Sequence, residues 1–218
     1  MGQIEKEKKG IKLFLHLLKQ YFFTLIFLNI IFIITCIPII TIGPACKALA
    51  KVTMDMVRDK EFFPVQTYFT EFRVNFLKTA GVGVIFSIIL GVMGYSILVN
   101  VNDKELTTVL QIFVMFSIVI VLFLLASIMY ALRLFATIDL PTKEIWKNAF
   151  LLVLMSPKQM VTLLFLIVIP TIVAVMFFQI GISAFVIWHF AMSSVVSSMN
   201  AWTIIKKYVA ADYQNHEK

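Results

Sequence analysis

Residues 21–58 read YFFTLIFLNIIFIITCIPIITIGPACKALAKVTMDMVR. The first part, residues 21–42, carries no charged side chain, and about 20 apolar residues suffice to cross the core of a bilayer. Pro38, Gly43 and Pro44 then predict a break in the helix. After the break, charged side chains recur at intervals of four, four and three residues: Lys47, Lys51, Asp55 and Arg58. The stretch therefore predicts an apolar span followed by a short helix with one charged face.

The rest of the chain is similarly apolar. Hydrophobic residues make up 61% of the 218 residues, only 14% are charged, and the mean hydropathy is +0.95. Two more uncharged runs cover residues 79–102 and 106–132, and residues 159–205 contain one ionisable side chain, His189. This last run is long enough for two traverses, with a turn near residues 179–183. The composition excludes a separate soluble domain and predicts an integral membrane protein.

We expect an all-α, polytopic membrane helix bundle that forms a single membrane domain over residues 1–218. Five long transmembrane helices are predicted, with a short sixth crossing or re-entrant helix at residues 44–58. The predicted spans are about 21–38, 44–58, 79–99, 106–131, 160–179 and 182–205. A basic amphipathic segment, residues 1–20, precedes them, and the loops 59–78 and 132–159 are expected to be cytoplasmic, with amphipathic helices at the lipid interface. The first apolar run is too long for a secretory signal core and contains Pro38, so we expect it to be retained.

The distribution of lysine and arginine bears on topology. Basic residues concentrate on the cytoplasmic side of membrane proteins, yet both flanks of the first span are basic. If residues 44–58 cross back, both termini lie in the cytoplasm and only Lys104 faces outward among the loop cations. The alternative is that residues 44–58 form a surface helix and the N-terminus lies outside. The charge bias favours the crossing in a bacterial plasma membrane.

A crossing at residues 44–58 places Lys47, Lys51 and Asp55 at membrane depth. An isolated charge there costs at least about 2.5 kcal/mol, so these groups are expected to face the bundle interior, a partner or water. One interpretation is a polar seam that docks a partner or lines a substrate route. The other is structural, with Lys51 and Asp55 paired at i, i+4 and Lys47 extended to the outer interface. For His189, a hydrogen-bonded structural role is favoured over a proton relay.

The two predicted cytoplasmic loops share a pattern. Each begins with an arginine, contains a proline, continues into an amphipathic stretch and reaches an asparagine after a similar interval, which indicates a weak internal duplication. The candidate partner or polar-seam residues in these loops and spans are Lys47, Lys51, Asp55, Arg58, Arg73, Asn75, Arg133, Asn148 and His189. The apolar faces of the two stretches, expected at the lipid interface, are Tyr68, Phe69, Phe72 and Phe76, and Ile145, Trp146, Ala149 and Phe150.

Five segments resemble the YesL family of bacterial integral membrane proteins: CIPIITIGPA (36–45), KVTMDMVRDKE (51–61), FTEFRVNF (69–76), LRLFATID (132–139) and WKNAF (146–150). The resemblance implies a carbohydrate-uptake association, because such proteins are typically encoded beside carbohydrate ABC importers and polysaccharide-degrading enzymes. It supplies no catalytic residue. Lys47 and Lys51 depart from the small, aromatic or polar residues expected at their positions.

We therefore expect a non-catalytic accessory or regulatory membrane subunit of a bacterial oligosaccharide ABC importer. Its expected partners are the lipid bilayer and an importer permease, through which it would be linked to oligosaccharide. The alternative is an independent small-solute transporter or channel. The sequence has no phosphate-binding loop and no HExxH or GxSxG motif, so neither an ATPase nor an intramembrane hydrolase is expected. We also expect no cofactor, metal or nucleic-acid partner.

Overall fold

A computed structural model of the chain describes residues 10–60, 62–102, 108–138, 141–155 and 189–208. Within these ranges the secondary structure is helical, apart from turns and short connections, and contains no strand. The helices are α1 (Ile11–Cys36), α2 (Ile42–Val57), α3 (Pro64–Arg73), α4 (Phe76–Asn102), α5 (Thr108–Thr137), α6 (Thr142–Met155) and α7 (Phe190–Tyr208). A single 3-10 turn, Ile39–Thr41, joins α1 to α2. The all-α prediction is confirmed for this part of the chain.

Helix α1 begins ten residues before the predicted span and includes half of the basic segment 1–20. Its one departure from helical geometry is Tyr21, with φ −111° and ψ 21°, which kinks the helix where the uncharged run begins. The residues before the kink, IKLFLHLLKQ, are mostly strong helix formers. They therefore extend the helix back from the kink to Ile11.

Helix α2 is the short helix that the sequence predicted, and it occupies the centre of the described fold. It begins at Ile42, so Pro44 is its third residue and not its first. This position is tolerated because the first N–H groups of a helix have no intrahelical acceptor. Twelve of its 16 residues are buried. It packs against α1, α3, α4, α5 and α7, so its charged side chains face other helices of the same chain.

Helices α3 and α4 meet at a sharp bend of 81°. Val74 is extended and Asn75 adopts a left-handed conformation with φ 56°, which asparagine tolerates better than most residues. Beyond the bend, α4 passes very close to the start of α2. A Cβ atom on Gly43 would overlap the carbonyl oxygen of Thr79, and one on Gly83 would lie 2.8 Å from Gly43 Cα. The two glycines therefore permit this contact between backbones.

The predicted cytoplasmic loops contain helices that pack onto their neighbours. Helix α3 lies on α2, and α6 lies on α5. Tyr68, Ile145 and Ala149, which the sequence placed at the lipid interface, are each no more than 1% exposed. That part of the prediction is wrong, because these apolar faces find protein partners within the bundle. The paired arrangement, α2 with α3 and α5 with α6, is consistent with the weak duplication.

Arg133 was expected in the loop 132–159, and the structure places it elsewhere. Helix α5 continues to Thr137, six residues beyond the predicted end of that span. Arg133 lies within its last turns and is only 3% exposed. The helix continues because residues 132–137, LRLFAT, contain no proline or glycine to stop it.

Two helices among the described residues are long and apolar enough to cross a membrane, Ile11–Cys36 and Val114–Thr137. A third candidate is the bent pair Pro64–Arg73 with Phe76–Ile89, and Phe190–Ile205 is a shorter apolar helix. Five long spans are therefore not seen in this part of the chain. The predicted span 160–179, the turn at 179–183 and the first residues of the span 182–205 lie outside the described residues.

Candidate functional site

Lys47 joins the start of α2 to the end of α3. Its side chain is 2% exposed, and its Nζ lies 3.0 Å from Oε2 of Glu71. The same ammonium donates hydrogen bonds to the carbonyl oxygens of Glu71 at 3.4 Å and Val74 at 3.0 Å. The last carbonyls of a helix lack intrahelical donors and carry partial negative charge. Lys47 therefore caps α3 from the neighbouring helix and does not extend to an outer interface.

The next two charged residues of α2 pair with each other. Lys51 Nζ lies 3.5 Å from Asp55 Oδ2, as the i, i+4 spacing predicted. Asp55 is 4% exposed, and its second carboxylate oxygen, Oδ1, has no hydrogen-bond partner. The pair neutralises the aspartate within the helix and leaves one buried acceptor open.

Arg58, at the end of α2, contacts α7 through an aromatic ring. Its guanidinium carbon lies 4.6 Å from the ring centroid of Trp202. A guanidinium at this distance is attracted by the negative face of the ring. The contact fixes the C-terminal end of α2 against the C-terminal half of α7.

Uncharged polar side chains complete the interface between α1, α2 and α7. Thr53 Oγ1 lies 2.9 Å from both Ser194 Oγ and Ser198 Oγ. Asn29 of α1 accepts a hydrogen bond from the backbone N–H of Ala191 at 2.9 Å, which satisfies one of the free donors in the first turn of α7. In a membrane the hydrophobic effect does little to drive one apolar helix onto another, so hydrogen bonds of this kind help to hold the helices together.

Arg133, unlike Lys47 and Lys51, contacts no carboxylate among the described residues, and its hydrogen bonds go to backbone carbonyl oxygens. Its Nη1 donates to the carbonyl oxygen of Met129 at 2.8 Å, and its Nη2 donates to that of Ser194 at 3.3 Å. The Nε–H is buried and has no hydrogen-bond acceptor. Among the residues that the structure describes, no carboxylate lies within ion-pair distance of this guanidinium.

A cavity of about 280 Å³ opens beside Arg133, where α1, α2, α5 and α7 meet. Most of its walls are apolar, and the polar groups come from α5 and from the start of α7. The lining residues are Phe32, Cys46, Leu49, Ala50, Met129, Leu132, Arg133, His189, Phe190, Ser193 and Ser194. Partly exposed residues such as Met129 and Ser193 connect it to the molecular surface. Among the described lining residues, Arg133 carries the one permanent charge, and the cavity is the candidate functional site.

The remaining residues predicted as partner or seam residues are dispersed. Arg73 and Asn75 are exposed at the bend between α3 and α4, and Asn148 is half-buried in α6. His189 is half-buried and lines the cavity, with its ring 5.3 Å from that of Phe190. Six of the nine predicted residues are therefore divided among the Lys47 contact, the Lys51–Asp55 pair, the Arg58–Trp202 contact and the Arg133 cavity, and Arg73, Asn75 and Asn148 belong to none of these.

Glu71, Asn29 and Thr53 carry contacts that were not predicted from the sequence. Glu71 had a recognisable signal, since it is the one acidic residue between positions 62 and 102 and four cations lie nearby in the chain. The partners of Asn29 and Thr53 are more than 140 residues away, so no local pattern indicates them. No group of three or more metal-ligating side chains occurs within the described ranges.

Comparison with known protein families gives a match within the first half of the chain. Residues 25–97 match the family described as "Protein of unknown function, DUF624", to which YesL belongs. The match covers α2, α3, the C-terminal part of α1 from residue 25 and most of α4, and the similar segments at 132–139 and 146–150 lie beyond it. No curated protein and no solved structure matches the chain.

Proposed function

We propose that the chain is a non-catalytic accessory or regulatory membrane subunit of a bacterial carbohydrate importer, and that it acts by binding a permease. One observation carries this proposal. Helices α3 and α6 pack one face on α2 and α5 and leave polar faces exposed, including Arg73, Lys143 and Lys147. Two helices held on the bundle, each with exposed polar side chains that include a cation, offer contacts suited to a protein partner.

The arrangement of charges in α2 supports this proposal over a polar route through the bundle. Lys47 is paired across the interface between α2 and α3, and Lys51 and Asp55 are paired with each other within α2. The carbohydrate link rests on the resemblance to the YesL family and on the family match at residues 25–97.

The proposal includes a multi-pass topology in the bacterial plasma membrane with both termini in the cytoplasm. The support is the positive-inside bias together with α2, whose 16 residues make a helix of about 24 Å at 1.5 Å per residue. A tilted or re-entrant path accommodates this length, because α2 is enclosed by other helices.

The test is co-purification of a carbohydrate importer permease with the chain from mild detergent. Stoichiometric recovery with the wild type, and its loss in the double variant R73E/K147E, is the expected result. K12E makes the same kind of charge change at an exposed site on α1 and serves as the control. Recovery of the wild type as a clean monomer in every mild detergent would count against the proposal.

An independent small-solute transporter is the second candidate, and the cavity beside Arg133 is the observation that favours it. Proteoliposomes that contain only this protein distinguish the two. Solute flux above that of empty liposomes would support a transporter, and its absence together with a bound permease would support the accessory subunit.

A further inference from the structure

Arg133 is a buried positive charge whose counter-charge is missing from the described part of the chain. Asp55 and Glu71, the two carboxylates of α2 and α3, are paired with Lys51 and Lys47. Two carbonyl oxygens accept hydrogen bonds from Arg133, and neither carries a formal charge. A buried charge without compensation is strongly unfavourable, and arginine remains protonated in proteins.

The guanidinium of this unpaired arginine belongs to a residue that borders the cavity. Arg133 lines it, and its Nε–H is a buried donor with no acceptor among the residues that the structure describes. The guanidinium presents its N–H groups in a planar fork that matches the oxygens of a carboxylate or phosphate. An anion in the cavity would neutralise the charge of the guanidinium.

The other walls indicate what the anion is attached to. Phe32, Leu49, Met129, Leu132 and Phe190 supply apolar surface, and the hydroxyl of Ser193 and the ring of His189 add polar atoms near the start of α7. A small hydrated anion would gain little from such walls, whereas a hydrocarbon chain would bury apolar surface against them.

We propose that this cavity binds an anionic amphiphile, a carboxylate or phosphate group carried on an apolar chain, with Arg133 as the counter-charge. The source is either a free amphiphile, such as a fatty acid, or an anionic lipid of the bilayer. Binding at this site requires no permease, so its test is independent of the test of the proposed accessory role.

The test measures binding of radiolabelled decanoate to the full-length chain in a neutral maltoside detergent. Wild-type protein is expected to bind decanoate, and unlabelled 1-decanol, which has the same chain without the charge, is expected to compete poorly. Arg133→Gln is expected to weaken binding about 10- to 100-fold, the range for loss of hydrogen bonds to a charged group. Lys12→Gln removes an exposed charge of the same sign, away from the cavity, and is expected to leave binding unchanged.

A second variant keeps the test decisive if Arg133→Gln does not fold. Ser193→Leu retains the arginine and fills part of the cavity from a partly exposed position, so it is expected to weaken decanoate binding several-fold. The proposal is overturned if the wild type binds no decanoate, if 1-decanol competes as well as decanoate, or if both cavity variants bind like the wild type.

Nanodiscs distinguish the two sources of ligand. Competition by phosphatidylglycerol nanodiscs, but not by phosphatidylcholine nanodiscs, would identify an anionic bilayer lipid as the occupant. Decanoate binding that neither lipid displaces would identify a free amphiphile. Either result supports the site, provided that it depends on Arg133.

Discussion

The ammonium of Lys47 lies 3.0 Å from a carboxylate oxygen of Glu71, across the interface between α2 and α3. The contact joins two residues 24 positions apart, and it also places a cation on the last carbonyl groups of α3. Lys47 thereby fixes the end of α3 immediately before the chain bends into α4.

Substitution of Lys47 by methionine is expected to lower the free energy of unfolding by about 3 kcal/mol. This is the low end of the range for breaking a buried ion pair, because Glu71 is 22% exposed and stays partly solvated. Thermal unfolding in mild detergent checks the effect, with Lys12→Met as the exposed control. The double variant K47M/E71Q is expected to lose less than the sum of the two single changes, and strict additivity would show that the pair is not coupled.

Gly83→Ala is expected to destabilise the protein by about 1–3 kcal/mol, because the added Cβ meets the backbone of Gly43 and neither backbone can move freely. Gly81 lies two residues earlier in the same helix, and a Cβ there meets nothing within 4 Å. Gly81→Ala is therefore expected to be neutral or to stabilise the helix by up to about 1 kcal/mol. Equal melting temperatures for the two variants would contradict the close approach of α2 and α4.

Tyr68→Phe is expected to cost about 1 kcal/mol. The phenol oxygen lies 2.7 Å from Thr35 Oγ1, and the side chain is fully buried, so the substitution removes a shielded hydrogen bond while keeping the ring. Tyr95→Phe, at a side chain that is 72% exposed, is the matched control and is expected to have little effect. Denaturant or thermal unfolding of the two variants under the same conditions makes the comparison, and no difference between them would argue against the Tyr68–Thr35 contact.

The topology is testable with single cysteines in a background free of Cys36 and Cys46. A cysteine at position 2 is expected to resist an impermeant maleimide in intact cells and to react after permeabilisation, because both termini are predicted to be cytoplasmic. A cysteine at position 103, in the predicted outer loop, is expected to react in intact cells. Labelling of position 2 in intact cells would overturn the topology with both ends inside.

Much of the helical architecture could be predicted from residue type and spacing. The uncharged runs are long enough to exclude a soluble domain, and the spacing of Lys47, Lys51 and Asp55 predicted both a helix and the ion pair within it. These are local properties, because a helix places residues three and four apart on the same side. The close match between the predicted helix 44–58 and the observed Ile42–Val57 has the same origin.

The candidate site could not be predicted in this way. Arg133 was expected in a cytoplasmic loop because the uncharged run 106–132 ends just before it and basic residues concentrate on the cytoplasmic side, and the sequence does not show that α5 continues past it. The cavity draws its walls from four helices, and its polar groups come from positions more than 50 residues apart. Only the folded arrangement brings Arg133 and Ser194 together.

The sequence alone thus predicted a helical protein with spans apolar enough to cross a membrane and a short charged helix after the first span, since hydropathy and periodicity are local properties of the chain. The packing of that helix at the centre of the described fold is a tertiary result, as is the capping of α3 by Lys47. The position of Arg133 beside an apolar cavity is also a tertiary result. The physical cause is that a buried charge takes whichever partner the surrounding helices bring within reach, and that choice depends on contacts between distant segments.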